Sequence, residues 1–129
     1  MGNFDTTVRL AKYIVDFTNR ADGPFNVDID GEGSLRNLDY DNDPDAWRCF
    51  SGTITYSIFK TSIEITVDYP DYPDYANYSN LYVRISSKKL GVDKRVYSAR
   101  ELKAELKIIA EKLTEFIGPE GSSAFADII

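Results

Sequence analysis

The sequence contains no histidine and only one cysteine, Cys49, among its 129 residues. Without histidine the chain lacks the side chain that titrates nearest neutrality, which excludes Ser-His and Cys-His catalysis and most zinc sites. A single cysteine cannot form a disulfide within the chain and favours a reducing compartment. Because Cys49 has neither a second cysteine nor a histidine to activate it, we predict that it is a small buried apolar residue.

Long apolar runs are also missing, since no stretch approaches the roughly 20 apolar residues that cross a bilayer. The N-terminus has no basic-then-apolar secretion signal, and the chain has neither a Walker loop nor a Gly-x-Gly-x-x-Gly motif. We therefore expect a cytoplasmic protein, in the host cytoplasm if a phage encodes it, with no membrane partner and no cofactor. Enzymatic activity is not predicted.

The net charge of −6 is distributed unevenly along the chain. Residues 22–80 contain twelve acidic residues against three basic ones, whereas residues 81–112 contain nine basic residues against four acidic ones. Such an asymmetry affects the choice of partner and the rate of association rather than the fold. The length and the apolar content of 43% fit one folded domain over residues 1–129.

Hydrophobic periodicity predicts a helix at each end of the chain. Apolar residues recur at three- and four-residue spacing over residues 5–20 and again over about 99–117. Ser98 and Glu101 form a capping box at the start of the second helix, and Gly118-Pro119 is predicted to end it. Its predicted apolar stripe consists of Leu102, Leu106, Ile109, Leu113 and Phe116, flanked by Ile108 and Ile117.

Between the helices the apolar period changes to two, which predicts strands. The predicted strands cover residues 25–30, 50–58, 63–69, 81–86 and 96–97, with a sixth candidate over 35–40. The predicted turns are Gly31 to Gly33, Phe59 to Ser62, and Lys88 to Lys94. Because short links favour antiparallel pairing, we expect an α+β two-layer sandwich, with a single antiparallel sheet of about five or six strands and both helices on one face.

The last residues, 119–129, follow the predicted helix stop and are expected to form a loose tail. They nevertheless contain Phe125, Ile128 and Ile129. These three apolar side chains provide the alternative that the tail docks on the core or on a partner.

Residues 69–80 repeat a tyrosine every third position, and each is followed two residues later by Asp or Asn. A polyproline II segment has three residues per turn and would place these tyrosines along one edge, roughly 9 Å apart. Pro70 and Pro73 favour that extended geometry. With the acidic loop 39–45, this segment is the predicted partner-binding site, consisting of Tyr69, Asp71, Tyr72, Asp74, Tyr75, Tyr78, Asp39, Asp41, Asp43 and Asp45.

The acidic residues predict a non-enzymatic protein that occupies a basic, nucleic-acid-binding surface of a protein partner. Alternate carboxylates on an extended backbone repeat at about 6.7 Å, similar to the step between neighbouring phosphates of a nucleic-acid strand. In charge, size and lack of catalytic groups the chain resembles small acidic nucleic-acid mimics that block host-defence nucleases, anti-CRISPR proteins among them. The resemblance implies an inhibitor from a virus or mobile element.

Two alternatives explain the same acidity without mimicry. The chain is also consistent with an acidic adaptor, an immunity protein or a secretion-chaperone-like protein that binds a protein client through apolar surface. Acidic residues also increase solubility without any binding role. The oligomeric state is left open by the sequence.

Residues 28–39 resemble the calcium loop of an EF-hand, with Asp28, Asp30 and Glu32 at positions 1, 3 and 5 and Asp39 at position 12. The resemblance departs from the family pattern because position 12 lacks the usual glutamate and no helix precedes the loop. Asp28 and Asp30 also form the pair of carboxylates that a hydrolase would need. Nothing in the sequence indicates the apolar pocket that would separate their pKa values, so a solvated strand face is the favoured interpretation.

Direct nucleic-acid binding is the remaining alternative. It would depend on five basic residues near the second half of the sheet: Arg84, Lys88, Lys89, Lys94 and Arg95. Lysine and arginine contacts to phosphates supply most of non-specific nucleic-acid affinity. The acidic segment 22–80 opposes such binding, and we do not expect it.

Overall fold

The computed structural model describes residues 2–32, 51–68 and 82–129. In the described chain, one helix precedes five strands and a second helix follows them. They are α1 (Gly2–Ala21), β1 (Asn26–Glu32), β2 (Ser51–Ile58), β3 (Thr61–Asp68), β4 (Tyr82–Ser87), β5 (Val92–Val96) and α2 (Ala99–Ile128).

The strands form one antiparallel sheet in the order β1-β2-β3-β4-β5, so each strand pairs with its neighbour in sequence. The core side chains of both helices meet those of alternate strand residues, so both helices pack on one face. The predicted α+β two-layer sandwich is therefore confirmed. The opposite face of the sheet carries the other half of each alternating strand, which is polar.

The core lies between the helices and this inner sheet face. Phe17 of α1 packs edge-on against Tyr56 of β2, with ring centroids 5.1 Å apart. Val27 and Ile29, which pair with Tyr56 and Ile54, complete the inner face at the β1 edge. This agrees with the predicted alternation of β1, whose polar residues point to the outer face.

The turn between β2 and β3 is shorter than predicted. Only Phe59 and Lys60 connect the strands, because Thr61 and Ser62 already belong to β3 and pair with Ile58 and Ser57. Thr61 is 3% exposed on the inner face, so its methyl group continues the apolar alternation that the sequence pattern begins at residue 63.

The predicted turn at Gly31 is also wrong, since Gly31 and Glu32 extend β1 and pair with Gly52 and Ser51. A Cβ atom at Gly31 would lie 2.3 Å from the Ser51 carbonyl oxygen. Glycine at this position therefore serves a close approach of two strands rather than a reversal of the chain.

Strand β5 begins four residues earlier than predicted. The sequence predicts a basic turn that includes residues 92–94, but the turn ends at Gly91 and Val92 already pairs with Ser87. Val92 and Val96 are buried at the two ends of the strand, whereas Asp93, Lys94 and Arg95 are exposed between them. Because three successive residues of this strand are charged, apolar alternation in the sequence does not predict it.

Helix α2 begins at the predicted capping box. The Glu101 backbone N–H donates to Ser98 Oγ at 3.2 Å, and the Tyr97 N–H donates to a Glu101 carboxylate oxygen at 2.7 Å. Four stripe residues are buried as predicted, namely Leu102, Leu106, Ile109 and Leu113. Phe116 and Ile108 are instead 45% and 43% exposed, so the buried stripe ends before Phe116.

The predicted loose tail is helical. Gly118 leaves the helical conformation with φ 81° and ψ 172°, and helix α2 then continues through Pro119 to Ile128. Phe125 is fully buried, and its ring centroid lies 6.0 Å from that of Phe17 and 5.4 Å from that of Phe25. Residues 119–128 therefore dock on the core, which is the alternative that their apolar side chains suggested.

The candidate strand over residues 35–40 and the predicted buried Cys49 lie outside the described residues. Within the described ranges, no helix combines the length and the apolar character that crossing a bilayer requires.

Candidate functional site

The candidate site is the sheet face opposite the helices, which we call the open face. The registers of the four strand pairs place one row of directly paired residues across all five strands of this face. The row reads Asp30, Thr53, Thr66, Arg84 and Arg95 from β1 to β5. Thr53 Oγ1 and Thr66 Oγ1 lie 3.3 Å apart, consistent with both side chains lying on this face.

Negative charge is concentrated on the half of the open face formed by β1 and β3. Asp28 belongs to a second row, in which it pairs with Thr55 and Thr55 pairs with Glu64. Asp28, Asp30, Glu64 and Asp68 are all exposed. Asp68 accepts a hydrogen bond from Ser51 Oγ at 3.4 Å. These four carboxylates all come from the acidic segment of the sequence and share one face.

The half of the open face formed by β4 and β5 contains a bidentate ion pair. Arg84 Nε and Nη2 donate to the two carboxylate oxygens of Asp93, each at 2.6 Å. The hydrogen bonds from Arg84 hold the pKa of the Asp93 carboxyl below its usual value, and the same hydrogen bonds raise the pKa of Arg84. Arg84 is therefore charge-compensated within its own chain.

Arg95 is held differently, between two tyrosine rings. Its guanidinium carbon lies 4.6 Å from the ring centroid of Tyr82 and 4.9 Å from that of Tyr97. Cation–π contacts at these distances restrict the side chain without neutralising its charge. Within the described ranges Arg95 has no carboxylate partner.

The chain segments that contain the predicted partner-binding residues attach at one end of the sheet. β1 ends at Glu32, which pairs with Ser51 at the start of β2, and β3 ends at Asp68, which pairs with Tyr82 at the start of β4. Since Gly52 pairs with Val67, these four strand ends are neighbours. The predicted residues themselves, Tyr69, Asp71, Tyr72, Asp74, Tyr75, Tyr78, Asp39, Asp41, Asp43 and Asp45, lie outside the described residues.

The calcium-loop resemblance falls partly on described residues. Asp28, Asp30 and Glu32 are extended in β1 and paired with β2 rather than coiled around a common centre. Asp39 lies outside the described residues. In the described part of the chain, no group of three or more Asp, Glu, Cys or His residues is arranged to hold a metal ion. Asp28 and Asp30 instead form the exposed edge of the open face.

The five basic candidates do not form one surface. Arg84 and Arg95 lie on the open face, while Lys94 pairs with Ile85 and is directed to the helix side of the sheet. Lys88 and Lys89 lie in the turn between β4 and β5, where the Lys89 ammonium is 5.7 Å from the ring centroid of Phe116. A continuous track for a phosphate backbone is therefore not present among these residues.

A depression of about 380 Å³ separates β5 from the first turns of α2. Its lining combines Lys94 and Arg95 with Glu101 and Glu105. Because bases and acids are equally represented, the depression does not favour a ligand of either charge. It offers no paired nucleophile and base of the kind that catalysis requires.

Comparison of the chain with protein-family models, with curated proteins and with solved structures finds no match.

Two features of the site were missed in the sequence. The stack around Arg95 has a recognisable pattern, because Tyr82 and Arg84, and likewise Arg95 and Tyr97, are two residues apart and share a strand face. The pairing of Arg84 with Asp93 has no comparable pattern, because it depends on the register between β4 and β5.

Proposed function

We propose that this protein is a non-enzymatic binding protein that occupies a basic surface of a protein partner with the acidic half of its open face. The observation that carries this proposal is the common face shared by Asp28, Asp30, Glu64 and Asp68. The partner is a protein that handles nucleic acid, and the binding blocks that partner's access to its substrate.

The spacing of the carboxylates supports this choice of partner. Asp28 and Asp30 lie two residues apart on one strand, which separates them by about 6.7 Å. Glu64 lies two strands from Asp28 in the same row, at roughly 9–10 Å. A regular array of negative charge on a rigid sheet matches a surface that evolved to contact successive phosphates, and it accelerates association with that surface.

The connections of the sheet add to the negative charge. Segments 33–50 and 69–81 both begin and end at the sheet end formed by Glu32, Ser51, Asp68 and Tyr82. They contain the acidic loop 39–45 and the tyrosine repeat that the sequence predicts to bind the partner. Tyrosine is enriched in the buried centres of protein interfaces, so the repeat supplies contact area that carboxylates alone do not.

The proposal is tested by inhibition of DNA cleavage with a panel of purified RNA-guided and restriction nucleases. We expect at least one nuclease to be inhibited and the inhibition to weaken as salt is raised. The variant Asp28→Asn with Glu64→Gln, and the variant Asp71→Asn with Asp74→Asn, should both lose inhibition. The matched control is Asp16→Asn with Glu111→Gln, which makes the same charge change at exposed helix positions.

Salt-insensitive inhibition, or equal inhibition by the open-face variants and the helix control, would contradict the proposal. Absence of inhibition across the panel, together with no displacement of DNA from any panel member, would do the same.

A second candidate function is favoured by one specific observation. Phe59, in the turn between β2 and β3, is 80% exposed and is the most exposed of the large apolar residues described. An adaptor that binds a protein client through apolar surface would use such a residue as its anchor. Binding of a client that is unaffected by salt and abolished by Phe59→Ser would favour this function over the acidic one.

A further inference from the structure

Two neighbouring turns lie at the end of the sheet away from the acidic segments. We call them the turn tip, which consists of residues 59–62 and 87–91. The buried side chain of Ser87 joins the two turns, because its Oγ donates to the Ser62 carbonyl oxygen at 2.8 Å and accepts from the Leu90 N–H at 3.4 Å. These hydrogen bonds fix the position of one turn relative to the other.

Phe59 is an unfavourable residue for its place in this tip. Its side chain is 80% exposed, and its φ of 53° lies in the left-handed region, which disfavours any residue with a Cβ. Glycine would form the same turn without this strain. Since neither burial nor backbone geometry accounts for the phenylalanine, its ring indicates a contact outside the folded chain.

The turn tip contains three lysines and no acidic residue. Lys60, Lys88 and Lys89 are all exposed. The Lys89 ammonium lies 5.7 Å from the ring centroid of Phe116, a second aromatic side chain that is 45% exposed. This end of the molecule therefore presents two phenylalanine rings among three cations.

The charges around the turn tip do not cancel these lysines. Asp93, which follows the tip in β5, is already paired with Arg84, and Glu64 lies three residues along β3 from Thr61, at about 10 Å. The acidic segments begin at the far end of β2, about 23 Å away, which is nearly three Debye lengths of about 8 Å. The helix ends beside the tip add one base and two acids, namely Arg20, Asp22 and Glu115.

We propose that the turn tip binds the surface of an anionic lipid bilayer. Phe59 enters the boundary between headgroups and acyl chains, and the three lysines contact the anionic headgroups. This inference does not depend on the proposed function, which uses the acidic half of the open face. It gives Phe59 a lipid contact in place of a protein client. It also replaces the sequence-based expectation of no membrane partner, which was based on the lack of a spanning segment.

The chemistry of the tip favours a bilayer over a protein or a nucleic acid. A two-residue turn is a protrusion, and a fluid bilayer accepts a protruding side chain without a matching pocket. Phenylalanine is typical of the apolar side of membrane-surface elements, whereas Tyr, Trp and Arg dominate the hot spots of protein interfaces. Lysine stems also pack along apolar surface while their ammonium groups stay at the headgroups. Proteins that stack on bases instead use a continuous basic groove.

The test is sedimentation of the full chain with vesicles of phosphatidylcholine that contain about 30% phosphatidylserine. We expect half of the protein to bind at about 1 mM accessible lipid. Vesicles of phosphatidylcholine alone should bind about tenfold less tightly or weaker still. Raising the salt to about 0.5 M should also weaken binding, because it screens the lysines.

Two variants separate the contributions of the ring and of the cations. Phe59→Ser, and the double variant Lys88→Gln with Lys89→Gln, should each weaken vesicle binding by about tenfold or more. Circular dichroism melting establishes that each variant is folded. Where Phe59→Ser does not fold, Phe59→Gly replaces it, because glycine suits the positive φ.

The matched controls make the same changes on α2. Ile108→Ser, and Lys103→Gln with Lys107→Gln, alter exposed positions away from the tip and should bind vesicles like the unmodified chain. Asp28→Asn with Glu64→Gln should also retain vesicle binding, so a failure of the proposed function is distinguished from a failure of this inference.

Phe59→Trp reports whether the side chain enters the bilayer. Its fluorescence emission should shift to shorter wavelengths with vesicles and be quenched by brominated lipid. The unmodified chain, whose one tryptophan is Trp47, supplies the background.

The proposal is overturned if the chain does not bind phosphatidylserine vesicles at about 5 mM lipid. Binding that the Phe59 and lysine variants leave unchanged overturns it too, because the contact then lies elsewhere. Binding that depends on the lysines alone, with no emission shift, reduces the contact to charge attraction and contradicts the insertion of Phe59. Capture of a single-stranded oligonucleotide or a protein through Phe59, with vesicles left unbound, assigns the tip to that partner instead.

Discussion

The hydroxyl groups of Thr18 and Tyr56 lie 2.7 Å apart in the core, where both side chains are fully buried. Thr18 Oγ1 is also 2.6 Å from the carbonyl oxygen of Ile14, which can only accept. Because a hydroxyl has one hydrogen, Thr18 donates to Ile14 and Tyr56 donates to Thr18. The chain of two hydrogen bonds fixes α1 against β2 inside an apolar layer.

Removing either hydroxyl should lower the free energy of unfolding. We expect Thr18→Val and Tyr56→Phe each to cost about 1 kcal/mol, and the double variant to cost less than the sum because one hydrogen bond is lost in all three. Urea denaturation of the four proteins measures this. Thr114→Val is the control, since Thr114 makes the same bond to the carbonyl four residues earlier at an exposed position. Strict additivity of the two core variants would contradict the coupling.

Phe125 should contribute to the free energy of unfolding as much as any large side chain that is fully buried in the core. Its truncation to alanine leaves a cavity between Phe17 and Phe25, and we expect a loss of about 3–5 kcal/mol in the free energy of unfolding. Phe116→Ala, at a residue 45% exposed on the same helix, is the matched control and should cost less than half as much. Equal costs would mean that residues 119–128 do not dock in solution.

Phe59 occupies a backbone conformation that is unfavourable for it. Its φ of 53° lies in the left-handed region, and its side chain is 80% exposed, so burial does not compensate the strain. We therefore expect Phe59→Gly to raise the free energy of unfolding by about 1 kcal/mol, measured as a higher melting temperature. Phe59→Ala removes the ring but keeps the strained Cβ and should give a smaller gain. A lower melting temperature for Phe59→Gly would show that the ring contributes to folding.

The paired glycines Gly31 and Gly52 should not tolerate a side chain. A Cβ at Gly52 would lie 2.3 Å from the Asp30 carbonyl oxygen, and main-chain atoms cannot move away as a flexible side chain can. We expect Gly31→Ala and Gly52→Ala each to destabilise the fold by about 1–3 kcal/mol. Ser57→Ala, on the open face of the same strand as Gly52, should change stability by less than about 1 kcal/mol. Neutral glycine variants would mean that β1 and β2 are further apart here.

The Arg84–Asp93 pair should make a small, pH-dependent contribution to stability. Because the pKa of Asp93 is lowered in the folded state, its contribution is present above the unfolded pKa of about 3.9 and is lost as pH falls through the folded value. NMR titration should show this pKa rising towards its usual value in Arg84→Gln. The stability difference between the two proteins should shrink below about pH 4. An unchanged Asp93 titration would contradict the ion pair.

Much of the fold follows from local patterns. Helix α1 and the first part of α2 repeat apolar residues at helical spacing, and β2 and β3 alternate at strand spacing. The predictions are wrong where the local residue pattern does not indicate whether a side chain is buried or exposed in the folded protein. Val92 is followed by three charged residues, which are acceptable in a strand only because β5 lies at the sheet edge. Gly118-Pro119 ends one helix, but proline is also favoured in the first turn of the next.

The candidate site was predictable only in part. The predicted acidic character of β1 is present on the open face, whereas the loop and tyrosine segments lie outside the described residues. The pairing of Arg84 with Asp93 depends on the register between β4 and β5. The row that joins Asp30 to Arg95 depends on four strand registers at once. A shift of one residue in any register would move a strand's side chains to the other face.

The sequence by itself determined the order of the two helices and of the strands between them as far as residue 117, because helix and strand patterns depend on neighbours within a few residues. Only the tertiary structure decided that the last helical turns cover Phe17 and that Asp30 and Arg95 share a row although 65 positions separate them in the chain. Contacts of that range arise from burying apolar surface between elements, which selects one register and one docking geometry for the whole sheet.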